Sequence, residues 1–158
     1  MITRKWIIGL VVAAIAGIGV VGGVLYWRHD AMPNIDPEDK TQVALGQGVY
    51  GAQCARCHGS NLEGQPNWQD RLANGRLPAP PHDASGHTWH HPDAQLFDIT
   101  KHGLAPYAPA GYQSDMPAFD GTLSDDQIEA VLAYIKSRWP ADIRGRQARI
   151  NEQAGGRP

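Results

Sequence analysis

Cysteine is nearly absent from this sequence: there are two in 158 residues, at positions 54 and 57. A zinc site built on that pair wants a second Cys/His pair at a short, defined spacing. The adjacent, histidine-only pair His90-His91 fits that need poorly. A redox dithiol wants a thioredoxin-like βαβ pattern after the cysteines, and none follows. Basic residues form no stripe, so nucleic-acid binding lacks its electrostatic footprint. Acids are missing from residues 1–29, and every charge is missing from Trp6 to Trp27.

Formal net charge is only −2, but it is unevenly placed. Residues 1–29 carry Arg4, Lys5 and Arg28. Residues 30–140 carry 14 acids against 7 bases, and residues 141–158 carry 4 arginines against Asp142 and Glu152. The middle of the chain is therefore acidic, which suits steering toward a basic partner or simply a soluble surface.

The uncharged run from Trp6 to Trp27 is long enough to cross a bilayer. Twenty-two helical residues span roughly 33 Å, against roughly 30 Å of hydrocarbon. Trp6 and Tyr26-Trp27 suit the two interfaces, and Arg4 and Lys5 keep the N-terminus on the cytoplasmic side. A cleaved signal peptide is the rival, but its apolar region is shorter and ends in a small-residue cleavage site. Leu25-Tyr26-Trp27-Arg28-His29 offers none. The expected order is a cytoplasmic N-terminus at 1–5, a single transmembrane anchor at 6–27, a tether at 28–35, a domain at 36–140 and a polar, basic tail at 141–158. The expected location is a bacterial inner membrane, with membrane lipid as a partner and the domain in the periplasm.

Cys54-Ala55-Arg56-Cys57-His58 has the C-x-x-C-H spacing that attaches a c-type haem. Two thiols three positions apart can form thioethers to the two vinyl groups of one porphyrin. His58 then lies where its imidazole can bind the iron. One covalent haem c, held by Cys54 and Cys57, is the expected cofactor.

The flanking chain supplies helices and loops in turn. Asp36-Pro37-Glu38-Asp39 reads as a helix start with Asp36 as N-cap, opening a helix from about Pro37 to Gln53. Gly46 and Tyr50 share one face, and Gly46 leaves room for a second helix to cross. Residues 59–81 are rich in glycine and proline and read as loop, with a short helix around Asn67 to Ala73. A backbone carbonyl in Pro78-Ala79-Pro80-Pro81 is placed to accept a hydrogen bond from the second nitrogen of His58. His82, His87, His90 and His91 invite a metal reading, but they lie in a loop without defined spacing. Trp89 is a candidate donor to a haem propionate, with core packing as its plainer role. Arg71 and Arg76 are candidate partners for a propionate.

Pro92 opens a second helix to His102, stopped by Gly103. Leu96, Phe97, Ile99 and Thr100 are expected to supply its inward side. Met116 precedes Pro117 and is pushed out of the helical region, onto backbone that can present its thioether to the iron. The expected metal ligands are His58 and Met116, with a distal histidine (His102 or one from 82–91) as the alternative. Ser124-Asp125-Asp126-Gln127 is a capping box. Ile128, Val131, Leu132 and Ile135 follow at i, i+3, i+4 and i+7, an amphipathic helix that Pro140 ends. Tyr134 and Trp139 are expected to meet the first helix. The tail reads equally as a helix on a partner or as disordered.

Taken in order, Gly46-x-x-x-Tyr50, Cys54-x-x-Cys57-His58-Gly59, Pro80-Pro81, Met116-Pro117-Ala118-Phe119 and the helix from Leu123 to Ile135 resemble the class I c-type cytochromes, in particular membrane-anchored bacterial ones with a single haem. The resemblance covers about Asp36 to Pro140. It implies a small all-α domain whose first and last helices cross around the haem, and transfer of single electrons between respiratory complexes. No lysine-rich docking face like that of the mitochondrial-type members is present: Lys40, Lys101 and Lys136 are scattered. With both axial positions filled, no small-molecule substrate binds the iron. The expected function is electron transfer, from a quinol-oxidising complex or dehydrogenase to an oxidase or reductase. The alternatives are a fixed subunit of a larger oxidoreductase and a haem sensor or enzyme with displaceable Met116.

Overall fold

A computed structural model describes residues 32–155. These residues form helices, short 3-10 turns and loops, with no strand among them. The helices are α1 (Lys40–Gln53), α2 (Ala55–His58), α3 (Asp93–His102), α4 (Asp125–Ser137) and α5 (Ala141–Gln153). No helix among the described residues is long and apolar enough to cross a membrane. The N-terminus at 1–5 and the anchor expected at 6–27 lie outside the described residues.

α1 starts later than its acids suggested. Asp39, not Asp36, is the N-cap, accepting from the backbone N–H groups of Thr41 and Gln42. Asp36 closes the preceding turn instead: its side chain accepts from Glu38 N at 2.8 Å and its carbonyl from Asp39 N at 3.3 Å. Two carboxylates three residues apart compete for one role, and the turn at Pro37 takes the first. The segment just before is not free chain. Ile35 is buried, Asn34 N donates to Glu129 Oε1 at 2.9 Å, and Gln42 Nε2 donates to Asn34 O at 2.6 Å. The stretch expected as tether is thus already docked on the domain at residues 34 and 35.

α1 and α4 cross at Gly46. A Cβ built there would lie 1.9 Å from Ala130 O and 2.9 Å from Tyr134 Cβ. A Cβ on Gly48 would meet nothing within 4 Å, so only one of the two glycines is demanded by packing. Beside the crossing the Tyr50 and Tyr134 rings lie 5.4 Å apart. The obstructing atom at Gly46 is backbone, so the helices must separate to admit a methyl group. Gly46→Ala is expected to cost about 1–3 kcal/mol, read as a lowered denaturant midpoint. An unchanged midpoint would show that the crossing is loose.

α4 carries the core. Ser124 accepts from Gln127 N while the Gln127 side chain accepts from Ser124 N, a complete capping box. Ile128, Val131, Leu132 and Ile135 are all buried, as their spacing implied. α3 begins one residue after Pro92 and ends at Gly103, whose φ of 88° suits glycine. Residues 67–73 form turns rather than the expected short helix: Asn67 has φ 54°, which breaks a right-handed helix.

The segment after Pro140 is a helix that closes on the domain. Its Ile143, Gln147 and Asn151 are buried. They meet α3 through a polar cluster: Gln147 Nε2 donates to Asp93 Oδ1 at 2.7 Å, Asn151 Nδ2 to Asp93 Oδ2 at 2.9 Å, and Asp93 N to Asn151 Oδ1 at 2.7 Å. Lys136 Nζ completes the set with a 2.6 Å ion pair to Asp93. The packed domain therefore runs past residue 140, to Asn151 at least.

Candidate functional site

α1 delivers the chain into the cysteine motif. Cys54 caps α1, its N–H donating to Tyr50 O, and α2 follows at once as a single turn. Cys57 N and His58 N both donate to Cys54 O, at 3.1 and 2.9 Å. Both thiols and the imidazole thus sit on one turn. Tyr50 braces its far end, its hydroxyl donating to Gly59 O at 2.8 Å. Burial, with Cys54, Glu63, Tyr134 and Asp83 nearby, raises the Tyr50 pKa and keeps that proton in place.

Neither cysteine is in a disulfide. Burial, reinforced by Cys57, pushes the Cys54 thiol up to about 11. Redox dithiols work through a depressed thiol pKa, so Cys54 is set the wrong way for exchange chemistry. No group of three or more Cys, His, Asp or Glu side chains able to hold a metal ion occurs among the described residues.

His58 is buried, and its Nδ1 lies 2.8 Å from Pro80 O. With Nδ1–H donating to that carbonyl, Nε2 is the nitrogen left with a lone pair for a metal. Burial lowers the His58 pKa, against a smaller raising effect of the Pro80 bond, and favours the neutral ring that binds metal. The Pro80 carbonyl is itself held in a narrow passage. A Cβ on Gly64, at φ 69°, would lie 2.5 Å from Pro81 N, and one on Gly86 would lie 2.0 Å from Pro81 O. Gln65 N donates to Ala79 O at 2.9 Å, and His82 N to Leu62 O at 2.8 Å. Two glycines and two backbone bonds therefore place the acceptor that orients His58.

Met116 is half-buried, in a bend just before Pro117. Its N–H donates to Ser114 Oγ at 3.0 Å. Beyond it, Phe119 N donates to Thr100 O at 3.1 Å and Asp120 N to Lys101 O at 2.9 Å, tying the segment to the end of α3. Arg76 ties the other side, pairing with Asp115 and reaching Gln113 Oε1 at 3.3 Å. The guanidinium that is a candidate for a propionate thus also holds the loop that carries Met116. Arg71 likewise turns to protein, donating to Gly75 O at 2.7 Å and lying 5.8 Å from the Tyr112 ring centre.

Trp89 is packed against the core, and its indole N–H is buried with no hydrogen-bond partner. A buried donor without an acceptor is costly, and a haem carboxylate would supply the acceptor. Trp139 shares the core cluster with Val49 and Tyr50 of α1, and its N–H donates to His82 O at 2.7 Å. The four loop histidines pack against different rings. His87 stacks on Trp68 at 5.5 Å and meets His91 edge-on at 5.5 Å, and His90 stacks on Trp89 at 3.7 Å. His82 stacks on His58 itself, with ring centres 4.0 Å apart. Burial, with His58 and His87 nearby, holds the His82 pKa well below the usual histidine range. In the sequence His82 is one of four loop histidines, and its place directly after the proline pair is the signal that marks it.

The donor set fits a covalent haem: two thiols on one turn, a neutral imidazole with one nitrogen committed to a carbonyl, and an orphaned N–H that a carboxylate would satisfy. Comparison with known proteins agrees. The family described as cytochrome c oxidase, cbb3-type, subunit III matches residues 41–135. The chain is 34% identical to a cytochrome c6 from Leptolyngbya boryana over 93 residues, which is 59% of this chain and 88% of that protein. No solved structure matches significantly.

Proposed function

Because the chain belongs to that family of c-type cytochromes and so carries haem c in electron transfer, we propose that it is a membrane-tethered, single-haem carrier with His58 and Met116 as axial ligands. The observation that carries this reading is the 2.8 Å bond between His58 Nδ1 and Pro80 O, which commits one nitrogen and would leave the other to bind a metal. The haem, when bound, supplies a reversible one-electron couple. The protein does the rest with fixed groups. Cys54 and Cys57 hold the group from one turn, Pro80 orients the imidazole, and Trp89 offers its N–H to a carboxylate. Ser114, Arg76 and Thr100 hold the segment that presents Met116. Met116 would hold the iron through its thioether, which would raise the potential and leave no open site for a substrate.

The tether rests on the uncharged run from Trp6 to Trp27 and its flanking Arg4 and Lys5. That orientation puts the haem domain in the periplasm and its partners among respiratory membrane complexes. A quinol-oxidising complex or dehydrogenase would deliver the electron, and an oxidase or reductase would accept it. The matched family's description names an oxidase subunit, which favours the oxidase side and supports a second reading, a fixed subunit of such a complex.

Reduced protein is expected to show a c-type spectrum that carbon monoxide leaves unchanged. Rapid carbon monoxide binding by the native protein would overturn ligation by Met116. Detergent extraction of membranes followed by sizing separates the two readings, since a carrier migrates alone and a subunit with its complex. Cys57→Ala is expected to reduce covalently retained haem several-fold, measured as haem stain after denaturing electrophoresis. Undiminished stain would show that Cys57 forms no thioether.

A further inference from the structure

His82 packs directly on the proposed iron ligand, and the function just described gives it no task. Its ring lies 4.0 Å from that of His58, inclined by only 23°. Three bonds hold it there. Its Nδ1 is 2.8 Å from Thr88 Oγ1, its N–H donates to Leu62 O at 2.8 Å, and its carbonyl accepts from Trp139 Nε1 at 2.7 Å. Leu62, Thr88 and Trp139 are all buried, so each tie is anchored in the core.

An imidazole bound through Nε2 keeps one soft coordinate, rotation about the bond to the metal. The hydrogen bond from Nδ1 to Pro80 O restrains that rotation at one point on the ring. A flat surface packed along the ring face restrains the plane itself, because turning it would open a gap on one side and a clash on the other. An aliphatic side chain could fill the space but offers no plane, and it could not accept the Thr88 tie that fixes its own orientation. The orientation of a ligating imidazole decides how its π orbitals overlap the metal's, and outer groups that set ligand orientation tune the metal.

We propose that His82 is a positioning residue: it fixes the plane of the His58 imidazole, and through it the reduction potential. Thr88 orients His82, and His82 orients His58. The inference rests on His58 as the iron ligand.

The test uses the holoprotein and its His82→Leu, His82→Phe and Thr88→Val variants. Each is read by the electron paramagnetic resonance of the oxidised form and by potentiometric titration. His82→Leu keeps an apolar filler without a plane, and it is expected to change the g-anisotropy and shift the midpoint potential at unchanged haem content. His82→Phe restores a flat face and is expected to return the g-anisotropy most of the way to wild type. Thr88→Val removes the tie on Nδ1 with little change of volume, and it is expected to move both readouts in the direction of His82→Leu, by less. If His82→Leu does not fold, Thr88→Val decides the matter. Identical g values and potential in whichever variant decides would overturn the inference, as would equal effects of leucine and phenylalanine, which would leave His82 a filler. A wild-type spectrum without nitrogen ligation would instead overturn the assignment of His58, and the inference with it.

Discussion

Met116→Ala is expected to lower the reduction potential by on the order of 0.1 V, within the roughly 0.8 V over which axial ligands set haem potentials, and to let carbon monoxide bind the reduced iron. The expectation is specific because the loop around Met116 does not depend on its side chain. Ser114 holds its N–H, Arg76 holds Asp115, and the backbone of Phe119 and Asp120 is bonded to the carbonyls of Thr100 and Lys101. Removing the thioether should therefore open a coordination position without collapsing the segment. Potentiometric titration and a carbon monoxide difference spectrum check both parts. If neither changes, Met116 is not the ligand. The rival His102 is poorly placed to replace it, since its exposed ring is tied to Asp98 at 2.6 Å. His82 packs against His58 itself, which also disqualifies it as the opposite ligand.

Lys136→Met is expected to be the most destabilising single change outside the haem motif, at about 3–5 kcal/mol. Lys136 and Asp93 form a 2.6 Å ion pair with side chains only 6% and 10% exposed. Removing the ammonium strands the Asp93 carboxylate among Gln147 and Asn151, away from water and without a countercharge. The loss corresponds to a fall of about 10–20 °C in unfolding temperature for a domain of this size. Because the same carboxylate docks α5, limited proteolysis should cut first near Ala141 in the variant. Asp93→Asn added to Lys136→Met is expected to recover most of the loss, since no charge is then left buried. Equal stability of wild type and the single variant would mean that the pair is solvated and does not hold α5.

The amino-acid sequence by itself determined the parts of this protein whose signals are local. C-x-x-C-H marks its own chemistry within five residues. Ser124 to Gln127 announces a helix start, the spacing from Ile128 to Ile135 announces its buried face, and Gly46 announces a crossing because no other residue leaves that space. Residue type and interval carry all of these, and neither changes on folding. Tertiary structure decided what depends on residues far apart in the chain. Asp93, Lys136, Gln147 and Asn151 each look like solvated surface in the sequence, and they become core only because 58 residues of chain bring Asn151 back onto Asp93. That is why residues 141–153 could not be told from a free tail. One of several loop carbonyls had to be chosen to orient His58, and the choice fell to Pro80 through glycines at 64 and 86 that leave room on either side of Pro81. Arg76 found Asp115, a pairing no interval predicts. His82 could be counted from the sequence, but its place against the face of His58 exists only once Leu62, Thr88 and Trp139 converge on it. Polar side chains choose among many partners at similar energy, and folding, by fixing distance and excluding water, leaves them one.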